Sequence, residues 1–425
     1  MTDVSRRLLL RASSTAAVLA AARAALPHGA FAQSSGPETK KATLGYIALT
    51  DAAPLIVAKE KGLFAKYGMP DVEVQKQASW GGTRDNLVLG GSGGGIDGAH
   101  ILTPMPYLIH TGRVVQNNQP LPMAILLRLD VNGQGITVSK ALQPLGAKLD
   151  ASPLKAAFAE KRGSNKAAMT FRGGTHDLWL RYWLAAGGID PDRDVDTIVV
   201  PPPQMVANMK VGTMDACCVG EPWNDQAVHQ GVGYSPLVTG EIWKDHPEKS
   251  LAMRADWVAR HPKAAEALTA AVIEAQIWAE DLGNKEELAK MIGRRAWFNV
   301  PPADILPRSR GDIDYGDGRV VKGSPLRMKF WADFASYPFR SHDLWFLTEN
   351  IRWGVLPPDI DGKALINEVN REDIWRSAAR MAGVPAAQIP GSTSRGRETF
   401  FDGKVFDPED PAAYLASLSI KKALT

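Results

Sequence analysis

Two periods alternate in the polarity pattern of this chain. Residues 43–49 form a short apolar run with the character of a buried strand, and 53–67 repeat apolar positions at helical spacing up to Gly68, a common helix stop. Residues 71–78 place Val72 and Val74 between polar neighbours, as a half-buried strand does. A short helix over 83–90, a strand through 96–101 and an apolar run over 123–131 follow, and 136–139 continue that run past a glycine. A second block repeats the theme. It predicts a strand over 167–171, a helix over 177–186 closed by Gly187-Gly188, a strand over 197–200, a helix over 204–211 closed by Gly212, and a strand over 216–219. From about Pro262 helix dominates, over 262–282, 285–297, 326–334, 344–353 and 371–382, while 308–322 and 388–404 are polar and glycine-rich and predict loops. Strands alternating with helices predict an α/β fold of parallel sheets covered on both faces, and two such blocks predict two lobes with a cleft between them. There is no repeat at a solenoid period and no low-complexity tract.

The first 32 residues stand apart from this pattern. Arg6-Arg7 precede a mildly apolar stretch and then Ala30-Phe31-Ala32, a small-x-small cleavage pattern, which together predict an export leader of the twin-arginine type. Arg11 and Arg23 leave too short an apolar span for the ~20 residues of a membrane crossing. The expected location is the periplasm, with no stable membrane insertion of the mature chain. Removing the leader changes the charge argument. The whole chain carries +3, and residues 1–32 hold four arginines against one aspartate, so the remainder is about neutral. That balance points to neither nucleic acid nor an anionic membrane surface, and any anion preference has to come from a local site.

About 390 remaining residues, in a chain 45% hydrophobic, favour two domains over one. The only cysteines, Cys217 and Cys218, are adjacent in an apolar run and read as two thiols on a buried strand. No cysteine near the leader offers a lipid attachment point.

No catalytic signature is present: no paired-histidine zinc motif, no Gly-x-Ser-x-Gly elbow and no Cys-x-x-Cys. The glycine-rich 90–95 lacks the lysine of a phosphate loop and reads as a surface turn. No cofactor is expected, and the chain is not expected to be an enzyme. Binding features are stronger. Gly173-Gly174-Thr175-His176-Asp177 lies between a strand and a helix, where free N–H groups favour an anion, with Thr175 and His176 as added donors. An ordinary N-cap by Thr175 or Asp177, with His176 on the surface, reads equally well. Ala78-Ser79-Trp80-Gly81-Gly82-Thr83 has the same placement in the first block, and Trp80 there either covers a planar ligand or fills the core.

At these residues the chain resembles the nitrate- and bicarbonate-binding proteins of bacterial ABC transporters, within the type II periplasmic solute-binding proteins. The matching stretches are Gly45-Tyr-Ile-Ala-Leu-Thr-Asp-Ala-Ala-Pro54, Ala58-Lys-Glu-Lys-Gly62, Asp97-Gly-Ala-His100, Pro104-Met-Pro106, Asn132-Gly-Gln-Gly-Ile136 and the segment from Gly173 to Gly187. Pro201-Pro-Pro-Gln-Met205, Val219-Gly-Glu-Pro-Trp-Asn224 and Trp243-Lys-Asp-His-Pro-Glu-Lys249 complete the set.

The resemblance implies a two-lobe fold with a helix-rich C-terminal part: 33–134 and 223–425 as the first lobe, 135–222 as the second, and a ligand cleft between them. It implies capture of nitrate, or nitrite, and delivery to an ABC permease and its ATPase. Trp80, Gln134, His176 and Lys249 match the family's nitrate contacts. Lys249 supplies charge, His176 and Gln134 donate hydrogen bonds, and Trp80 covers the flat face of the ion. Gly173, Gly174, Thr175 and Glu221 are expected in support, Glu221 without touching the anion because a carboxylate beside nitrate repels it. The runner-up ligands are bicarbonate, with a calcium-assisted arrangement that Lys249 would repel, and an organic anion such as a sulfonate. A nitrate sensor acting on a regulatory partner is the alternative of another class, and the leader argues against it. Arg172 stands where the family is expected to have proline.

Overall fold

The computed structural model describes residues 36–160 and 164–422. The leader reading, with Arg6 and Arg7, lies outside the described residues. Ten main strands build two sheets. They are β1 (Lys41–Tyr46), β2 (Asp71–Lys76), β3 (Gly98–Leu102), β4 (Met123–Arg128), β5 (Gln134–Ser139), β6 (Lys166–Met169), β7 (Asp196–Val199), β8 (Ala216–Gly220), β9 (Gly233–Val238) and β10 (Lys249–Arg254). The first sheet has the order β2-β1-β3-β10-β4 and the second β7-β6-β8-β5-β9.

Neither sheet is purely parallel, in contrast to the sequence expectation. β1 runs parallel to β2 and β3, but β10 is antiparallel to both β3 and β4. β6 is parallel to β7 and β8, whereas β5 is antiparallel to β8 and β9. The antiparallel members, β5 and β10, are the strands on which the chain enters each sheet from the other, through residues 129–133 and 239–248. The apolar run 123–139 is thereby divided between two sheets at Asn132-Gly133, both at positive φ. A Cβ on Gly133 would sit 2.3 Å from Met328, so this turn admits no side chain there. The return crossing follows β9 rather than Pro222, so residues 223–238, assigned above to the first lobe, complete the second sheet.

Local chemistry explains most element boundaries. The helix expected at 83–90 starts earlier, at Trp80–Leu89, because the Ser79 hydroxyl accepts the Gly82 N–H at 3.1 Å as an N-cap. The helix expected over 53–67 is interrupted at Gly62, at φ 69°, into Ala53–Glu60 and Leu63–Lys66. Residues 326–334 are not helical apart from a short turn at Ala332–Phe334. Lys329 instead exchanges both backbone hydrogen bonds with Val131, at 3.0 and 3.1 Å, and its ammonium lies 2.6 Å from Asp245. The demands of the crossing segments thus override the local helical period.

The main apolar core continues through both sheets and the C-terminal helices. Pro262–Glu280 packs between Ala53–Glu60 and Glu372–Met381. Arg340–Arg352 reaches the second lobe, where Trp345 stacks on Trp179 at 4.9 Å and Asn350 Nδ2 donates to the Gly173 carbonyl at 3.1 Å. The C-terminal part therefore backs the Thr175–Ala186 helix that carries His176. Cys217 and Cys218 are buried free thiols on β8.

Candidate functional site

Lys249 opens β10 and is fully buried, so its ammonium has to find partners inside the molecule. Nζ lies 2.9 Å from Asp51 Oδ2 and 2.7 Å from Glu248 Oε1. Asp51 comes from the turn Thr50–Ala52 after β1, and Glu248 from the segment that returns the chain to the first sheet. Asp130, on the other crossing, accepts the Lys249 backbone N–H at 3.0 Å, and its second carboxylate oxygen is buried without a hydrogen-bond partner among the described residues. Three buried carboxyl groups thus surround one buried ammonium.

The second lobe meets this group through β5 and a helix N-terminus. Gln134 Nε2 donates to Asp51 Oδ2 at 3.1 Å. His176 Nε2–H donates to Gln134 Oε1 at 2.7 Å, while the Thr170 hydroxyl pairs with His176 Nδ1 at 2.5 Å. On the first-lobe side His100 Nε2 bonds Asp51 Oδ1 at 2.5 Å, and its Nδ1 accepts the Ile47 N–H at 3.4 Å. Trp80 packs its ring 5.2 Å from His100 and 5.9 Å from the Lys249 ammonium. Its indole Nε1 is buried without a partner among the described residues.

Electrostatics follow from burial and these pairs. Burial pushes the Asp51 carboxyl up, but Lys249 and then His100 outweigh it and hold it below the usual carboxylate range. Burial likewise opposes the Lys249 charge, and Asp51, Glu248 and Asp130 together hold the ammonium above its ordinary value. Burial wins at Glu248, which is shifted up in spite of Lys249, and at Asp130, where Asp51 adds to it. His176 and His100 are both shifted down by burial, and Lys249 depresses His176 further, so both imidazoles are neutral at pH 7.

The four residues expected to contact a ligand, Trp80, Gln134, His176 and Lys249, therefore meet at one buried point between the sheets. The supporting residues behave differently from expectation. The Gly173 N–H is taken by Asp177 Oδ2 at 2.8 Å and the Gly174 N–H by the Phe171 carbonyl at 3.0 Å, so neither is a free anion donor. Thr175 gives its hydroxyl to Glu248 rather than capping its helix, whose N-cap is Gly174. Glu221 faces Arg308, at 2.6 Å, and Asn224, and its carbonyl accepts the Thr50 N–H at 2.7 Å, which ties the lobes together. Arg172 pairs with Asp192 at 3.5 Å. It lines a groove of about 540 Å³ between the lobes, with Ser79 and Arg84 on one wall and Thr170 on the other.

Sequence reasoning missed Asp51, His100, Asp130 and Glu248. Asp51, His100 and Glu248 stand inside the matched stretches, but a carboxylate beside an anion is repulsive unless a cation holds it, and local polarity does not reveal that cation. Only the pairing with Lys249 makes three acids tolerable here. Donors on Lys249 and Gln134 converge on one planar carboxylate, which is the geometry a small planar oxyanion requires.

The sequence profile of the NMT1-like family matches residues 35–293. The nitrate/nitrite binding protein NrtA of Synechocystis sp. is 62% identical over 388 residues, covering 91% of this chain and 86% of that protein. The bicarbonate-binding protein CmpA of a Synechococcus species is 45% identical over 404 residues, 92% of this chain and 89% of that protein. The crystal structure of the periplasmic nitrate-binding protein NrtA from Synechocystis PCC 6803 superposes with a TM-score of 0.89 at 61% identity, over 91% of this chain and all of that one. With its two sheets and buried interlobe site, this chain belongs to the NMT1-like family, as a relative of the NrtA and CmpA binding proteins.

Proposed function

We infer that the protein is the periplasmic substrate-binding component of an ABC transporter, capturing nitrate or nitrite and delivering it to a membrane permease and its ATPase. The observation that carries this reading is the buried Lys249 ammonium, held where the two sheets meet beside Gln134, His176 and Trp80. Lys249 provides the charge, Gln134 the directed hydrogen bond, with His176 orienting the Gln134 amide through its oxygen, and Trp80 a flat wall. The role is binding, not catalysis, in keeping with the relatives named above. No helix among the described residues is long and apolar enough to cross a membrane. Export by the twin-arginine route is part of the same reading, and Arg6→Lys with Arg7→Lys should leave the protein in the cytoplasmic fraction.

Size sets a physical requirement. The best tiny ligands reach about 1.5 kcal/mol per heavy atom, so nitrate gains roughly 6 kcal/mol. That corresponds to a dissociation constant of tens of micromolar. Tighter capture needs a dry site with a full charge and several charge-assisted bonds, each contributing roughly 1.5–3 kcal/mol. The buried Lys249 ammonium, with Gln134 beside it, supports a site of this kind. Calorimetric titration of the mature protein with nitrate, nitrite, bicarbonate and sulfate, with and without a chelator, tests the reading. Saturable nitrate heat that the chelator leaves unchanged is expected. Binding of bicarbonate alone, or nitrate binding abolished by the chelator, would overturn it in favour of a metal-assisted bicarbonate site.

A further inference from the structure

The Asp51 carboxylate rests on the donors assigned above to the ligand. Its Oδ2 takes one bond from the Lys249 ammonium, at 2.9 Å, and one from the Gln134 amide, at 3.1 Å. A carboxylate is a planar oxyanion of nearly the same O–O span as nitrate, so the side chain satisfies these donors as the ligand would. It also bridges the lobes, from the turn after β1 to β5. We propose that anion capture at this site is an exchange, in which the incoming ion takes Lys249 and Gln134 from Asp51 and the Asp51 carboxylate takes up a proton from solvent.

This rests on the anion-binding reading and follows from charge balance. Lys249 supplies one positive charge to a buried cluster that already holds Asp51, Glu248 and Asp130. An arriving anion that left Asp51 ionised would place two negative charges against that ammonium in a site shielded from water, at a large cost. The other groups facing Asp51 do not absorb the charge. His100 points its Nε2–H at Asp51, and its remaining nitrogen already accepts the Ile47 N–H, so a second proton there would set donor against donor. His176 accepts from Thr170 on one nitrogen and donates to Gln134 on the other. Glu248 Oε1 keeps its own bond to the Lys249 ammonium and Asp130 Oδ1 keeps the Lys249 backbone N–H, so neither gives up a donor, whereas Asp51 Oδ2 yields both of the bonds the ion takes. Protonated there, Asp51 becomes a neutral donor beside the bound ion, still held by His100 through Oδ1.

The proton balance and an isosteric variant test the exchange. Nitrate titrations of the wild-type protein at pH 7, in two buffers of different ionisation enthalpy, should show uptake of about one proton per anion. Affinity should fall toward tenfold per unit as pH rises. Asp51→Asn keeps the shape and the bond from His100 but removes the competing charge. It should bind nitrate at least tenfold more tightly, take up no proton and lose the pH dependence. A folded Asp51→Asn protein that binds no more tightly overturns the exchange, and so does a wild-type protein that takes up no proton. If Asp51→Asn does not fold, the wild-type proton count decides alone. Absence of nitrate heat in the wild type overturns the nitrate reading itself, and the exchange with it.

Discussion

Replacing Lys249 by methionine probes the central electrostatic claim without any ligand. The side chain is fully buried, and its ammonium touches two carboxylates at 2.7 and 2.9 Å. At an effective dielectric of about 20 each contact is worth roughly 6 kcal/mol of attraction, most of it offset by the desolvation of both charges. Removing one partner of such a pair leaves a buried carboxylate uncompensated, which costs about 3–5 kcal/mol. At roughly 2 °C per kcal/mol for a large domain, the melting temperature should fall by about 6–10 °C at pH 8. The sign with pH is specific. In the wild type Lys249 holds Asp51 below the usual carboxylate range, so that stability is present above the range and lost only as pH falls through it. In Lys249→Met burial dominates and Asp51 titrates above its unfolded value. The folded variant then binds more protons than its unfolded chain, and its deficit shrinks as pH falls from 8 toward 5. Denaturant unfolding at both pH values measures this. A deficit under 1 kcal/mol, or one that is the same at both pH values, would refute the reasoning.

His176→Ala removes the donor to Gln134 and should weaken nitrate binding by about 1–3 kcal/mol, measured by calorimetry; unchanged affinity would take His176 out of the site. Burial lowers His246 to about 3 and His342 to about 4, so both are neutral in the fold but protonate near pH 6.5 when unfolded. Stability should therefore be complete above pH 6.5 and decline as pH falls toward 4, and equal unfolding midpoints at pH 7 and 4.5 would contradict this. Burial pushes the Cys217 thiol up to about 12 and raises Cys218 as well. Neither should react with a thiol reagent at pH 8 until the protein unfolds, and rapid labelling of the native protein would disprove their burial.

The alternating α/β blocks are legible along the chain, because short strands and helices write their polarity period into adjacent residues. β1, β2, β6 and β8 and the helices Thr175–Ala186, Pro262–Glu280 and Glu372–Met381 lie close to where that period puts them. The residues expected at the site, Trp80, Gln134, His176 and Lys249, likewise stand in recognisable stretches. β9 and β10 leave no such period, for identifiable reasons. β9 carries Pro236, tolerated because β9 is the edge of its sheet, and β10 begins with a lysine, a residue that ordinarily marks an exposed position.

The balance around that lysine arises in the assembled fold. A charge survives in the interior when opposite charges arrive from elsewhere in the chain, and the polarity of neighbouring residues carries no record of them. Asp51, Asp130 and Glu248 come from a turn and from the two crossings between the sheets. The crossings also decided the fate of residues 326–334, where pairing with Val131 outweighs the local helical preference. The placement of Asp51 on the Lys249 and Gln134 donors depends on folding in the same way. A local pattern records only the burial of each residue, whereas a buried electrostatic cluster is set by distances between segments that meet only once both sheets are assembled.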